Sequence, residues 1–174
     1  LPVLKNPEYL AGAASDPVVF QAFFITFLAG FCAVGILAIT GTPLAYALSR
    51  SDTPWKGVVE TLVDIPLVLP HTVAGLMVYL LFMSRGLLGA PLGVIGLTFE
   101  DAFPGIVAAM VFVAIPYYVN AVREGFGRVP VQLENVARSL GASRARAFVT
   151  VTLPLTTRHI MYGALLAWGR AIGE

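Results

Sequence analysis

Residues 17–49, PVVFQAFFITFLAGFCAVGILAITGTPLAYALS, run from Pro17 to Ser49 without a charged side chain, bounded by Asp16 and Arg50. About 20 apolar residues in a helix cross the roughly 30 Å of a bilayer's hydrocarbon. This run is longer than one crossing needs. The excess must extend past the hydrocarbon, tilt, or bend near Gly41-Thr42-Pro43, where proline removes a backbone donor. Two more runs follow, Ile65–Ser84 between Asp64 and Arg85, and Ala102–Val122 between Asp101 and Arg123. A fourth begins after Arg158. In lipid every backbone group must be paired within its own segment, and none of these runs alternates as a barrel strand would. Each is therefore read as a helix. The expected fold is an all-α polytopic membrane bundle, one domain with spans at about 18–48, 65–84, 102–122 and 156–174 and a polar segment at 123–154.

Composition agrees. Hydrophobic residues make up 57% and charged residues 12%, where soluble domains carry about 25% charged. The mean hydropathy of +0.82 excludes a soluble globule, which needs a charged surface. Cys32 is the single cysteine, so neither an intrachain disulfide nor a cysteine metal site can form. His71 and His159 fall on different predicted elements without neighbouring ligand residues, and no nucleophile motif is present. A membrane enzyme is thus disfavoured. So is a gradient-driven transporter or channel, which would want several ionisable groups inside its spans; only His71 lies between the bounding charges. A net charge of +1 gives no reason to expect a nucleic-acid partner.

Lysine and arginine orient the spans. Arg50, Lys56, Arg123, Arg128, Arg138, Arg144, Arg146 and Arg158 all fall in the two loops after the first and third spans. The loop between the second and third spans holds one basic residue, Arg85, and the N-terminal stretch on that same side holds Lys5. Residues 50–64 and 123–158 are therefore expected in the cytoplasm and 85–101 outside. Asp64 is expected at the cytoplasmic boundary. The outer loop, rich in Gly and Pro (Arg85-Gly86-Leu87-Leu88-Gly89-Ala90-Pro91-Leu92-Gly93), reads as a compact structured turn.

The most informative polar stretch is Gly127–Pro154, GRVPVQLENVARSLGASRARAFVTVTLP. Pro130 suits the first turn of a helix. Leu133, Val136, Ala137 and Leu140 then share one face. Gly141 is a natural stop. Ser143 can cap a second helix running through Phe148 into the membrane, with a bend at Leu153-Pro154. The result is a short amphipathic helix across the membrane surface. It could rest on lipid headgroups or on its own bundle, but its stripe is narrow and lacks a Trp or Phe anchor, which argues for a protein partner.

This segment is similar to the EAA loop of the permeases of ATP-binding-cassette (ABC) importers. That loop reads Glu-Ala-Ala, three residues, Gly, then about eleven residues and an apolar-x-Leu-Pro end. Asn135-Val136-Ala137 occupy the Glu-Ala-Ala place, Gly141 the glycine, and Val151-Thr152-Leu153-Pro154 the end. The usual glutamate is replaced by Asn135, with Glu134 one position earlier. The resemblance implies a helix that docks into a groove of a cytoplasmic ATPase, with Leu133, Glu134, Asn135, Val136, Ala137, Leu140, Gly141, Ala142, Leu153 and Pro154 as coupling residues. It implies two permease subunits, two ATPase subunits and an external binding protein, the ATP and Mg being held by the ATPase. The chain itself has no Gly-rich loop ending in Gly-Lys-Ser or Gly-Lys-Thr, so it is expected to be non-catalytic and to need no cofactor.

The similarity covers nearly the whole chain. Val63-Asp64-Ile65-Pro66-Leu67-Val68-Leu69-Pro70-His71-Thr72-Val73-Ala74-Gly75, Ser84–Leu92, Pro104-Gly105-Ile106-Val107 and Arg123-Glu124-Gly125-Phe126 look most like archaeal-type molybdate/tungstate permeases. Sulfate or thiosulfate permeases are the alternative. The resemblance implies six spans, of which this sequence would hold about three and a half, in a cell membrane. From the residues alone, His71 and Thr72 follow Pro66 and Pro70 inside an apolar run. A broken helix can expose backbone groups to a pathway. The alternative for His71 is a structural hydrogen bond to a neighbouring helix. Arg170 and Glu174, four residues apart, could pair or line the same path.

Overall fold

A computed structural model describes residues 16–94 and 96–173, all helix and loop. Glu174 and Lys5 lie outside the described residues. The chain folds as a helical bundle. Helix α1 spans Pro17–Arg50. Asp16 caps it, its carboxylate accepting from Val18 N at 2.9 Å, and Pro17 occupies the first turn. The 34 residues extend about 51 Å at 1.5 Å each, so α1 outreaches the hydrocarbon, and Pro43 sits within it rather than ending it. Helix α2 is Lys56–Val68, α3 His71–Phe82, α4 Gly89–Val94 and α5 Phe103–Arg128. Helix α6 is Val131–Ser139 and α7 Arg144–Ala147; a π-turn over Phe148–Thr152 leads into α8, Leu153–Ile172.

Helices α1 and α5 are each long and apolar enough to cross a membrane; α2 and α3 together make a third candidate, bent by 119° at their break. The Ile65–Ser84 run is therefore not one straight helix. Pro70 lacks an N–H and forces the preceding residue out of the α region, and Leu69 is extended (φ −80°, ψ 134°). The expected fourth span also differs. Helix α8 has the length, but Arg158, His159 and Arg170 keep it below the apolarity of the others. It belongs to the bundle through its packing on α5 and α1.

That packing rests on small residues. Ala29, Ala33, Gly41 and Ala45, with the larger Leu37 in the same register, repeat every fourth position along α1 and are buried. They let α5 and α8 approach closely, as membrane helices require where apolar burial supplies little drive. A Cβ at Gly41 would stand 2.9 Å from the Tyr118 ring. The neighbouring Thr42 hydroxyl shares a 2.8 Å hydrogen bond with the buried Tyr118 hydroxyl. Large apolar side chains such as Phe20, Phe24, Ile39, Leu76 and Leu165 face outward instead. On a soluble protein such a surface would be anomalous; on a bundle in lipid it is the solvated face.

At the end where α3 meets α5, the Gly-rich loop closes on Glu100. The Tyr79 hydroxyl (2.9 Å), Ser84 N (3.2 Å) and the Ser84 hydroxyl all donate to its carboxylate, and Phe82 packs on Phe99 at 4.7 Å. The Ser84 side chain, then Tyr79 and the Ser84 amide, hold the Glu100 carboxyl below the usual carboxylate range.

Candidate functional site

The opposite end of the bundle carries the polar segment. Pro130 caps α6 from an extended conformation, and the helix stops at a left-handed Gly141 with φ +93°. Ala142 N donates to Ala137 O at 3.1 Å and Gly141 N to Arg138 O at 3.0 Å. These are the two bonds of a Schellman stop, which satisfies the helix's last carbonyls. Ser143 caps the next turn, its hydroxyl accepting from Arg146 N at 3.2 Å.

Helix α6 turns its two faces in opposite senses. Its apolar stripe faces away from the bundle: Leu133 is 43% exposed, Val136 58% and Leu140 84%. Its acidic residue faces in, with Glu134 only 9% exposed. Asn135 is exposed and lines the mouth of a cavity of about 1020 Å³ that also borders Arg50, Tyr46, Arg138 and Arg144. Ala137 and Ala142 are half-buried, Leu153 half-buried and Pro154 exposed.

The Glu134 carboxylate gathers donors from two elements, α1 and the π-turn. Arg50, the last residue of α1, donates to Oε1 from Nη2 (2.7 Å) and from Nε (3.1 Å). The Thr152 hydroxyl donates to the same oxygen at 2.8 Å, and the Tyr46 hydroxyl to Oε2 at 2.7 Å. Arg50 Nη2 also donates to Val129 O at 3.0 Å, at the entrance to α6. Around them, Tyr46, Phe126 and Phe148 pack with ring centres 4.7 to 5.8 Å apart. Burial would raise the Glu134 pKa. Hydrogen bonds from Tyr46, Thr152 and Arg50, with the Arg50 charge, outweigh burial and hold the carboxyl below its ordinary value.

The π-turn explains how Thr152 takes part. Leu153 N reaches back five residues to Phe148 O. The helical ladder continues through Leu153-Pro154 and widens just before the proline, in keeping with π-turns at functional positions. Sequence reasoning missed Arg50, Tyr46 and Thr152. Arg50 carries the one signal available, as the first charge after a long apolar run.

The second group of candidates lies elsewhere. His71 is the first residue of α3, just past the 119° break, and its Nδ1 accepts from Arg170 Nη2 of α8 at 2.8 Å. Arginine is always a donor, so Nδ1 is the acceptor nitrogen. Thr72 is beside it, exposed. Asp64 accepts from Asn120 Nδ2 at 2.7 Å, and Glu60 pairs with Arg123, tying α2 to α5. Among the described residues no cluster of metal ligands occurs.

Residues 39–174 match the family described as binding-protein-dependent transport system inner membrane component. The molybdate/tungstate transport system permease protein WtpB of Thermococcus kodakarensis is 42% identical over 98% of this chain and 64% of its own length. WtpB of Pyrococcus abyssi is 38% identical over 91% of the chain and 59% of its length. A probable sulfate transport system permease protein cysT of Chlorokybus atmophyticus is 33% identical over 92% of the chain and 56% of its length. The chain thus spans about three fifths of the relatives it matches.

Proposed function

Because the chain belongs to the family of binding-protein-dependent transport system inner membrane components, we propose that it acts as the membrane-spanning subunit of an ABC importer that carries molybdate or tungstate. The observation that carries this reading is the sense in which α6 is turned. A short helix, stopped by a left-handed glycine, is pinned to the bundle by its carboxylate and presents Leu133, Val136 and Leu140 to whatever lies beyond. Such a stripe suits the groove of a separate ATPase, which would hold ATP and Mg and do the hydrolysis. Closure of an ATPase pair would swing α6 as a rigid lever, and the bundle would change from inward-facing to outward-facing. The assembly this implies has two permease subunits, two ATPase subunits and an external binding protein, in a cell membrane.

The path would run past the break between α2 and α3. There the start of α3, the positive end of that helix, and the Arg170 guanidinium beside His71 would face an oxyanion. Glu174 belongs to the same proposal.

The test of the coupling role is co-purification. A soluble ATPase should be retained by the wild-type chain and lost when Leu140 becomes glutamate; retention by that variant would remove the docking role. The cargo is decided separately, by calorimetry of molybdate, tungstate and sulfate binding to the partner binding protein. The identity with a probable sulfate permease keeps sulfate as the second reading, and preferential sulfate binding would establish it.

A further inference from the structure

Glu134 stands among the residues that the EAA-like pattern assigns to coupling, yet it is 9% exposed and its carboxylate faces the bundle. Its carboxylate is turned toward the bundle and takes four donors from Arg50, Tyr46 and Thr152. We propose that Glu134 is a positioning residue, the pin of an internal joint that carries movement of α6 into α1 and α8, and is not itself a contact with the ATPase. The inference rests on the coupling reading above.

The geometry supplies both arms of the joint. Arg50 ends α1, the longest helix of the bundle. It grips Glu134 with two nitrogens and Val129 O, at the hinge between α5 and α6, with one. Any rotation of α6 that moves the carboxylate must therefore move the end of α1 or break charge-assisted hydrogen bonds. Thr152 reaches the same oxygen from the last residue of the π-turn. A widened turn can close to an ordinary one and shift its register by one residue, so this attachment can lengthen or shorten without unfolding α8. One carboxylate thus links a fixed strut and an adjustable one, while the exposed stripe on the other side of α6 is left to the partner. A chain of packed and hydrogen-bonded groups between rigid elements is the physical means by which sites couple.

The experiment uses the complete transporter (permease, ATPase and binding protein) reconstituted in lipid vesicles, with tungstate uptake and ATP hydrolysis measured together. Glu134→Gln and Tyr46→Phe should keep the ATPase in the purified complex but lower tungstate moved per ATP by roughly fivefold or more, the lower end of typical coupling between sites. Glu134→Gln combined with Arg50→Gln should cost little more than either alone, because both break one joint. Loss of the ATPase from Glu134→Gln, as expected for Leu140→Glu, would make Glu134 a docking contact and overturn the proposal. Unchanged tungstate per ATP in both Glu134→Gln and Tyr46→Phe would also overturn it. If Leu140→Glu instead retained the ATPase, the coupling reading itself would fall, a result distinct from either. Tyr46→Phe removes only one hydroxyl, so it serves should Glu134→Gln fail to assemble.

Discussion

Glu134 and Arg50 are 84 residues apart in sequence, and their pairing decides which way α6 is turned. Replacing Glu134 with alanine strands a guanidinium whose side chain is 16% exposed. Removing one partner of a buried pair costs about 3 to 5 kcal/mol, and slight exposure places this case near the lower end. Thermal unfolding in detergent should rank Glu134→Ala well below Glu134→Gln, which keeps acceptor and size. The pH dependence has a definite sign. The folded carboxyl lies below its unfolded value of about 4.3, so its contribution is complete above that value and is lost as pH falls through the lower, folded one. Arg50, Asp52, Arg138 and Arg144 line the same cavity, so the Glu134→Gln variant is the control that isolates this one carboxyl. Melting temperature should therefore fall below about pH 4.3 more steeply in wild type than in Glu134→Gln, where the titrating group is gone. Equal slopes would remove the linkage.

At the scale of elements, local signals were legible and facing was not. Gly141 and Ser143 act within four residues of themselves, so the stop of α6 and the cap of α7 could be read from sequence. Periodicity put Leu133, Val136 and Leu140 on one face, but it cannot say whether that face meets the bundle; a partner far away in sequence decides that. The prolines at 66 and 70 signalled a disturbance, while a bend of 119° depends on where α5 receives the two halves. Two glycines mark different constraints. A side chain at Gly141 would meet open space but sits at φ +93°, so Gly141→Val should cost about 1–2 kcal/mol by backbone strain alone and lower transport by disordering the stop. At Gly125 the φ is ordinary and the space is absent: a Cβ would run into His159 and stand 2.9 Å from Thr156 Cγ2. Gly125→Ala should therefore wedge α5 from α8 and cost about 1–3 kcal/mol. A melting temperature equal to wild type for Gly125→Ala would mean that α8 yields there freely.

At the scale of the whole molecule, two separate observations fix its polarity. The first is charge: eight basic residues, Arg50, Lys56, Arg123, Arg128, Arg138, Arg144, Arg146 and Arg158, fall in the two stretches 50–64 and 123–158, and Arg85 alone in the stretch 85–101. The second is structure, which brings those two basic stretches together. Arg50 pairs with Glu134 and Glu60 with Arg123, while Glu100 clamps Ser84 and Tyr79 at the far end. The composition of the runs made the bundle legible from sequence, whereas the cross-links that join its ends are long-range and appear only once the helices pack. Positive charge is retained on the cytoplasmic side, so the end bearing α6 should face the cytoplasm. In a Cys32→Ala background, cysteine placed at Ser139 or at Leu87 should report this directly. Both positions are exposed, on α6 and on the Gly-rich loop respectively. A membrane-impermeant maleimide added to intact cells should label Leu87→Cys and spare Ser139→Cys, and in inside-out vesicles the pattern should reverse. Labelling of Ser139→Cys from outside intact cells would put the lever on the wrong side of the membrane for any ATP-driven partner, and the coupling reading would fail with it.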